Sequence, residues 1–174
     1  MAKKAALHNL GCKVNAYETE SMQQMLEQAG YEIVPFAPGA DIYIINTCTV
    51  TNIADRKSRQ MLHRAKQLNP GAIVVAVGCY VQTGREKIEQ DDAIDLAIGN
   101  NRKKDIVEIL EAFLEERTNS VETVGTLQEQ NVPVAVDKTL HDTTILDINH
   151  TYEYEEMQLS QTMEHTRAYI KIQD

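Results

Sequence analysis

The chain has 174 residues, of which 43% are hydrophobic and 25% charged, a composition typical of a soluble domain with a packed core. It contains no run of about 18 apolar residues and no signal-peptide pattern near residue 1, so we expect a cytoplasmic protein with no membrane partner. The net charge of −9 excludes a general attraction to phosphate. Most of this charge falls in residues 119–174, which hold 10 acidic residues against 3 basic ones.

Residues 1–116 alternate short apolar runs with longer segments of helical period, a pattern typical of a parallel sheet covered by helices. The sequence therefore predicts an α/β fold: an open, mainly parallel, five-stranded sheet with helices on both faces, as in Rossmann and flavodoxin-like domains. The predicted strands are 5–10, 31–36, 41–46, 72–77 and 94–98, and the predicted helices are 15–29, 52–68, 85–90 and 101–116.

Local signals set the predicted ends of the first helix. Asn15, followed three residues later by Glu18, predicts a capping box at its start, and Gly30 predicts its end. Pro35 indicates that the second strand lies at an edge of the sheet or ends there. The second long helix is predicted to bury one apolar side, which consists of Ile53, Met61, Leu62, Ala65 and Leu68.

The regular pattern ends near residue 118, so we expect three segments. Residues 1–117 form the N-terminal domain, and residues 118–166 are predicted to be an acidic linker or extension, disordered in part. Residues 167–174 alternate like a strand and are expected to begin a second domain whose remainder is missing.

Three cysteines each follow the C-terminal end of a predicted strand: Cys12, Cys48 and Cys79. An odd number of cysteines in a presumed cytosolic protein argues against a disulfide framework. Parallel sheets place ligand sites outside the carboxyl ends of their strands, and neighbouring strands lie about 4.8 Å apart. The sequence therefore predicts that the three thiolates meet at one rim of the sheet around a metal centre. Gly11 and Gly78 precede two of them and permit a close backbone approach.

Two kinds of metal centre fit three thiolates without an obvious fourth ligand. One is a cubane iron–sulfur cluster with one open iron, and the other is a zinc ion completed by histidine or water. The sequence contains no Cys-x-x-Cys pair, and His8 lies inside a predicted strand, so no further ligand is indicated. A metal-free interaction domain with three buried thiols is the third alternative.

The three cysteine segments resemble the cysteine motifs of the methylthiotransferase family of radical-SAM enzymes in order and spacing, and the resemblance covers residues 4–115. The segment at the C-terminus, 167–174, is similar to the family's entry into the radical-SAM domain. The matching segments are Asn9-Leu10-Gly11-Cys12-Lys13-Val14-Asn15, Asn46-Thr47-Cys48-Thr49-Val50-Thr51 and Val77-Gly78-Cys79-Tyr80.

This resemblance implies that Cys12, Cys48 and Cys79 hold an auxiliary [4Fe-4S] cluster. It also implies that the second [4Fe-4S] cluster and S-adenosylmethionine bind in a radical-SAM domain that follows residue 174, and that this domain is a partner of the present one. The fragment is then expected to contain no catalytic residue and to be inactive by itself. A zinc-binding interaction module with no redox role remains the alternative function.

Gly-Cys-Lys-Val-Asn and Thr-Cys-Thr-Val-Thr-Asn resemble the branch of the family that acts on N6-threonylcarbamoyladenosine in tRNA. This branch adds a methylthio group to C2 of N6-threonylcarbamoyladenosine next to the anticodon. The resemblance implies tRNA as a partner, held mainly by the missing domains. Because the helix after Cys48 is basic, Arg56 and Arg59 near its start are the candidate substrate-binding residues.

Overall fold

A computed structural model describes residues 2–49, 51–83, 88 and 90–124 of the chain. The strands are β1 (Lys4–Asn9), β2 (Glu32–Ile33), β3 (Ile42–Thr47), β4 (Ile73–Gly78) and β5 (Leu96–Ile98). The helices are α1 (Lys13–Gln28), α2 (Asn52–Leu68), α3 (Cys79–Thr83), a 3₁₀ segment (Asn100–Asp105) and α4 (Ile106–Val124).

The five strands form one parallel sheet in the order β2-β1-β3-β4-β5. The prediction of an open, five-stranded parallel α/β sheet is therefore confirmed. The two-residue strand β2 lies at one edge, as Pro35 indicated. β1, β3 and β4 are direct neighbours, with Asn9 paired to Asn46 and Thr47 paired to Gly78 at their last residues. This register brings the ends of three strands to the same rim.

The central strands are apolar on both faces because helices cover both. Every residue of β3 and β4 is buried, which explains why these runs lack the alternation of a half-exposed strand. On one face, α1 and α4 pack through Met22, Leu26, Ile106 and Leu110. On the other face, α2 and α3 pack through Leu62, Ala65, Tyr80 and Val81.

The start of α1 differs from the prediction. The helix begins at Lys13 with Cys12 as its N-cap, and no side chain forms a cap hydrogen bond. The predicted capping box at Asn15 and Glu18 is wrong, because both side chains have distant partners. Asn15 donates to main-chain carbonyls outside the helix, and the carboxylate of Glu18 accepts from Lys103.

α2 occupies the predicted residues, with Thr51 as the N-cap whose hydroxyl accepts the Ala54 N–H at 3.1 Å. Its predicted apolar side is correct except for Ile53, which is 70% exposed. The first buried residue of α2 is Ser58. Ile53 lies in the first turn of the helix, before that position.

The end of the domain is longer than predicted. The strand expected over 94–98 is limited to Leu96–Ile98, and the helix expected over 101–116 is a 3₁₀ segment followed by α4, which continues to Val124. The predicted helix over 85–90 falls mostly outside the described residues, as do the extension to residue 166 and the segment 167–174. No helix in the described part of the chain is long and apolar enough to cross a membrane.

Candidate metal centre

The three cysteines lie at the ends of three adjoining strands. Cys12 caps α1 after β1, Cys48 follows β3 directly, and Cys79 is the first residue of α3 after β4. All three are free thiols. Cys48 is only 3% exposed, whereas Cys79 is partly buried and Cys12 is exposed. The alternative of three buried thiols is therefore wrong for Cys12.

Two glycines allow the loops of this rim to approach each other, as the sequence predicted. A Cβ on Gly11 would lie 2.5 Å from the Cβ and 2.7 Å from the Sγ of Cys48, and a Cβ on Gly78 would lie 2.7 Å from the carbonyl oxygen of Thr47. Both glycines have positive φ angles, +108° and +99°, which other residues rarely adopt. The backbone just before Cys12 is thus in direct contact with the side chain of Cys48.

Asn15 joins the first cysteine loop to the second. Its Nδ2 donates to the Leu10 carbonyl at 2.8 Å and to the Thr47 carbonyl at 3.0 Å. Its Oδ1 accepts the Cys12 thiol at 3.7 Å. Asn46 supports this arrangement from β3 by donating to the Asn15 carbonyl at 3.0 Å. One buried amide therefore fixes the positions of the segments that carry Cys12 and Cys48.

Two hydroxyl groups fix the remaining loops. Thr47 donates to the Val77 carbonyl at 2.5 Å and accepts the Tyr80 N–H at 3.2 Å, which joins the loop of Cys48 to the loop of Cys79. Ser58 of α2 accepts the Cys48 N–H and donates to the Cys48 carbonyl, both at 3.1 Å. The backbone of Cys48 is consequently held on both sides, in a fully buried setting that leaves few alternative positions.

The segment after β5 also reaches this rim. The Asn100 amide lies 3.8 Å from Cys79 Sγ, with Nδ2 as the donor. Three residues later, Lys103 forms an ion pair with Glu18 of α1, and the two side chains are 1% and 6% exposed. The rim is therefore built from four strand ends.

The donor set at this rim consists of three thiolates, which are soft ligands of the kind that bind iron or zinc. Within the described parts of the chain, no three cysteine, histidine, aspartate or glutamate side chains are grouped closely enough to hold one metal ion. A zinc ion requires every sulfur ligand at about 2.3 Å from one centre. A [4Fe-4S] cluster instead takes each thiolate on a different iron, so its ligands are spread more widely. Thiolates are the residue type that such a cluster needs, and here they follow three adjoining strands.

The candidate substrate-binding residues lie beside an open cleft of about 1000 Å³ between α2 and residues 90–93. Arg56 and Arg59 both line it and are exposed. Arg59 forms an ion pair with Asp55 at 3.2 Å, whereas Arg56 makes no ion pair within the described residues. Tyr80 forms part of the wall, and burial raises the pKa of its phenol, a shift that Arg59 opposes. Arg56 is therefore the more available cation.

Sequence reasoning missed Ser58, Asn100 and Lys103. The signal for Asn100 was present, because it follows β5 just as each cysteine follows its own strand. Ser58 and Lys103 carried no comparable signal, since their partners are 10 and 85 residues away in sequence.

Known proteins match this chain along the part that contains the three cysteines. Residues 4–99 match the model of a family described as uncharacterized protein family UPF0004. The chain is 43% identical over 129 residues to the threonylcarbamoyladenosine tRNA methylthiotransferase MtaB of Aquifex aeolicus (strain VF5), and 39% identical over 139 residues to the protein of that name from Bacillus subtilis (strain 168). The chain belongs to the methylthiotransferase family.

The alignments cover 74% and 77% of this methylthiotransferase chain but only 32% and 31% of the two relatives. The chain thus spans about a third of the length of these curated relatives. Among solved structures, a CheY-like response regulator receiver domain from Methanospirillum hungatei JF-1 superposes with a TM-score of 0.53 at 16% identity, covering 69% of this chain and 99% of that one. This likeness agrees with the 2-1-3-4-5 strand order and concerns the fold alone.

Proposed function

We propose that this chain is the N-terminal auxiliary [4Fe-4S] domain of a tRNA methylthiotransferase. Its ligands are Cys12, Cys48 and Cys79. The observation that carries the proposal is the placement of these cysteines at the ends of β1, β3 and β4, three adjoining strands of a chain that belongs to this family. Three thiolates leave one iron without a protein ligand, and such a cluster supplies an open coordination position for an external sulfur donor.

The residues around the thiols have structural roles in this proposal. Gly11 lets the first loop lie against Cys48, and Asn15 holds both loops through two carbonyl groups. Ser58 fixes the backbone of Cys48 on the buried side. These contacts hold in place the loops that carry the proposed ligands.

The substrate is proposed to be N6-threonylcarbamoyladenosine next to the anticodon of tRNA, which receives a methylthio group at C2. The relatives from Aquifex aeolicus and Bacillus subtilis are named as threonylcarbamoyladenosine tRNA methylthiotransferases. The acidic chain supplies little general attraction to RNA, so most of the tRNA contact is assigned to other domains. Arg56 and Arg59, which line the cleft beside α2, provide the local contact.

The radical-generating step is assigned to a separate domain of the same protein, which binds S-adenosylmethionine and a second [4Fe-4S] cluster. The chain contains three cysteines, all assigned to the auxiliary centre, so none remains for a second cluster. We therefore expect the isolated chain to be inactive. As a tRNA-modifying enzyme, the full protein is expected in the cytoplasm.

Anaerobic reconstitution of the purified chain with ferrous iron and sulfide tests this proposal. The expected result is broad visible absorption and about four irons per chain. Cys48→Ala should lose the absorption, because a ligand is removed, while Arg56→Glu on the neighbouring helix should retain it. A chain that binds one zinc ion and no cluster would overturn the proposal and favour the zinc module.

A further inference from the structure

The 3₁₀ segment contributes a polar side chain to the rim that carries the cysteines. β5 pairs with β4, so the residues after β5 lie next to the loop that begins at Cys79. Asn100, the first residue of the segment, points its amide at that loop, and Nδ2 donates to Cys79 Sγ at 3.8 Å. Asn100 is thus placed to affect a sulfur ligand without being a ligand itself.

The side-chain amide of Asn100 lowers the stability of the folded domain. Its Oδ1 is buried and has no hydrogen-bond partner among the residues that the structure describes. Such an atom is unfavourable in a protein interior, and an apolar side chain of similar size would avoid the penalty. The amide at this position also makes the hydrogen bond to Cys79 Sγ, a contact that an apolar side chain could not make.

A buried ion pair fixes the segment that carries this amide. Lys103 Nζ donates to the Glu18 carboxylate, and both side chains are almost fully buried. Glu18 lies on α1 one turn after Asn15, the residue that bridges the loops of Cys12 and Cys48. The ion pair therefore joins the segment of Asn100 to the helix that begins at Cys12.

We propose that Asn100 is a positioning residue for the auxiliary cluster and that its N–H group raises the reduction potential of the cluster. The inference rests on the proposed function. A reduced cluster carries more negative charge on its sulfur ligands than an oxidised one, so a hydrogen-bond donor stabilises the reduced form more. A hydrogen bond to a ligand also increases retention of the metal, by about 10- to 100-fold for typical partners of ligating groups.

The experiment compares the unaltered chain with Asn100→Leu after anaerobic reconstitution with ferrous iron and sulfide. Iron content is measured first, and the reduction potential is then determined by redox titration followed in the visible spectrum. We expect about four irons in both proteins, a more negative potential in Asn100→Leu, and about tenfold faster loss of iron to a chelator. Arg102→Gln is the matched control, because Arg102 lies in the same segment and pairs with Asp105. Its potential should equal that of the unaltered chain.

The outcomes separate the two proposals. If the unaltered chain binds no cluster, the proposed function fails and this inference fails with it. If the unaltered chain binds a cluster and Asn100→Leu has the same potential, only the inference is overturned. If Asn100→Leu folds poorly, Asn100→Asp replaces it, since the side chain keeps its shape and loses the donor. An unchanged or more positive potential in that variant also overturns the inference.

Discussion

Gly11 lies against the side chain of Cys48, so that a Cβ on Gly11 would be 2.7 Å from the sulfur. The φ angle of Gly11 is +108°. We predict that Gly11→Ala lowers the free energy of unfolding by about 1–3 kcal/mol through backbone strain, with a similar further loss from the contact with Cys48. Urea denaturation measures this change, and iron uptake after reconstitution should fall as well.

Gly30→Ala is the control for that prediction. Gly30 also has a positive φ, +91°, but apart from its chain neighbours no atom of the described residues lies within 4 Å of the position its Cβ would take. Gly30→Ala should therefore lose only the unfolding free energy that comes from backbone strain, and it should bind iron normally. If both variants lose the same unfolding free energy, Gly11 is needed only for its positive φ angle and not for the close approach to Cys48.

Asn15→Ala should loosen the two cysteine loops. The Leu10 and Thr47 carbonyl groups both lose a donor, and a buried group left without its partner costs about 1–3 kcal/mol. We expect lower unfolding free energy and less iron bound per chain. Gln23→Ala on the same helix is the comparison, because its hydrogen bond to Glu27 is exposed and the expected change is within about 0.5 kcal/mol. Normal iron binding by Asn15→Ala would contradict the bridging role.

Lys103→Met should be strongly destabilising. It leaves the Glu18 carboxylate buried without its ammonium partner, a change that costs about 3–5 kcal/mol. The double variant Glu18→Gln/Lys103→Met removes both charges and should recover part of that loss. A double-mutant cycle measured by urea denaturation gives the coupling. If the unfolding free energies lost by the two single variants add up to the loss in the double variant, Glu18 and Lys103 are not energetically coupled.

Acidification should destabilise the domain through His8. Burial, assisted by Arg64, lowers the pKa of His8 below its ordinary value of 6.5, so the unfolded chain takes up a proton at a higher pH than the folded one. The stability due to neutral His8 is present above about pH 6.5 and is lost as the pH falls through the lowered folded pKa.

His8→Phe provides the comparison for this pH effect. The aromatic ring preserves the contact with Phe36, whose ring centroid lies 5.1 Å from that of His8, and it removes the titrating group. Unfolding free energies measured from pH 7.5 to 5 should decline less in this variant than in the unaltered chain. If the unfolding free energies of the two proteins decline equally with falling pH, His8 is not the source of the pH dependence.

Reversal of the cleft arginines should weaken tRNA binding by the full-length enzyme. Arg56→Glu should have the larger effect, because Arg59 is already paired with Asp55. The salt dependence of binding should also become shallower by about one unit of slope. Arg117→Glu makes the same change of charge on α4, which packs on the opposite face of the sheet. If Arg117→Glu weakens tRNA binding as much as Arg56→Glu, the loss of affinity comes from net charge and not from the cleft.

The sequence was most informative where the structure depends on local composition. The apolar runs of β3 and β4 identified the central strands because both faces are buried. The cysteine positions predicted a common rim because parallel strands end at the same edge. Both conclusions needed only the pattern along the chain and the geometry of a parallel sheet.

The sequence was least informative where a side chain has a distant partner. Asn15 and Glu18 have the spacing of a capping box, yet Asn15 binds the Thr47 carbonyl and Glu18 binds Lys103. Local spacing favours the cap, but the tertiary contacts are buried and therefore stronger. Ile53 shows the same limit, because helical period places it on the apolar side of α2 although it is exposed.

The three thiols are separated by 36 and 31 positions along the chain, and each lies beyond a different strand. During synthesis, the ligand set is incomplete until Cys79 and all of β4 have left the ribosome. In the proposed cluster domain, complete ligation therefore has to wait until β1, β3 and β4 have all been synthesised. A bound cluster would cross-link the C-terminal ends of β1, β3 and β4. Iron depletion should therefore increase the mobility of the cysteine loops, while the N-terminal ends of the strands stay paired.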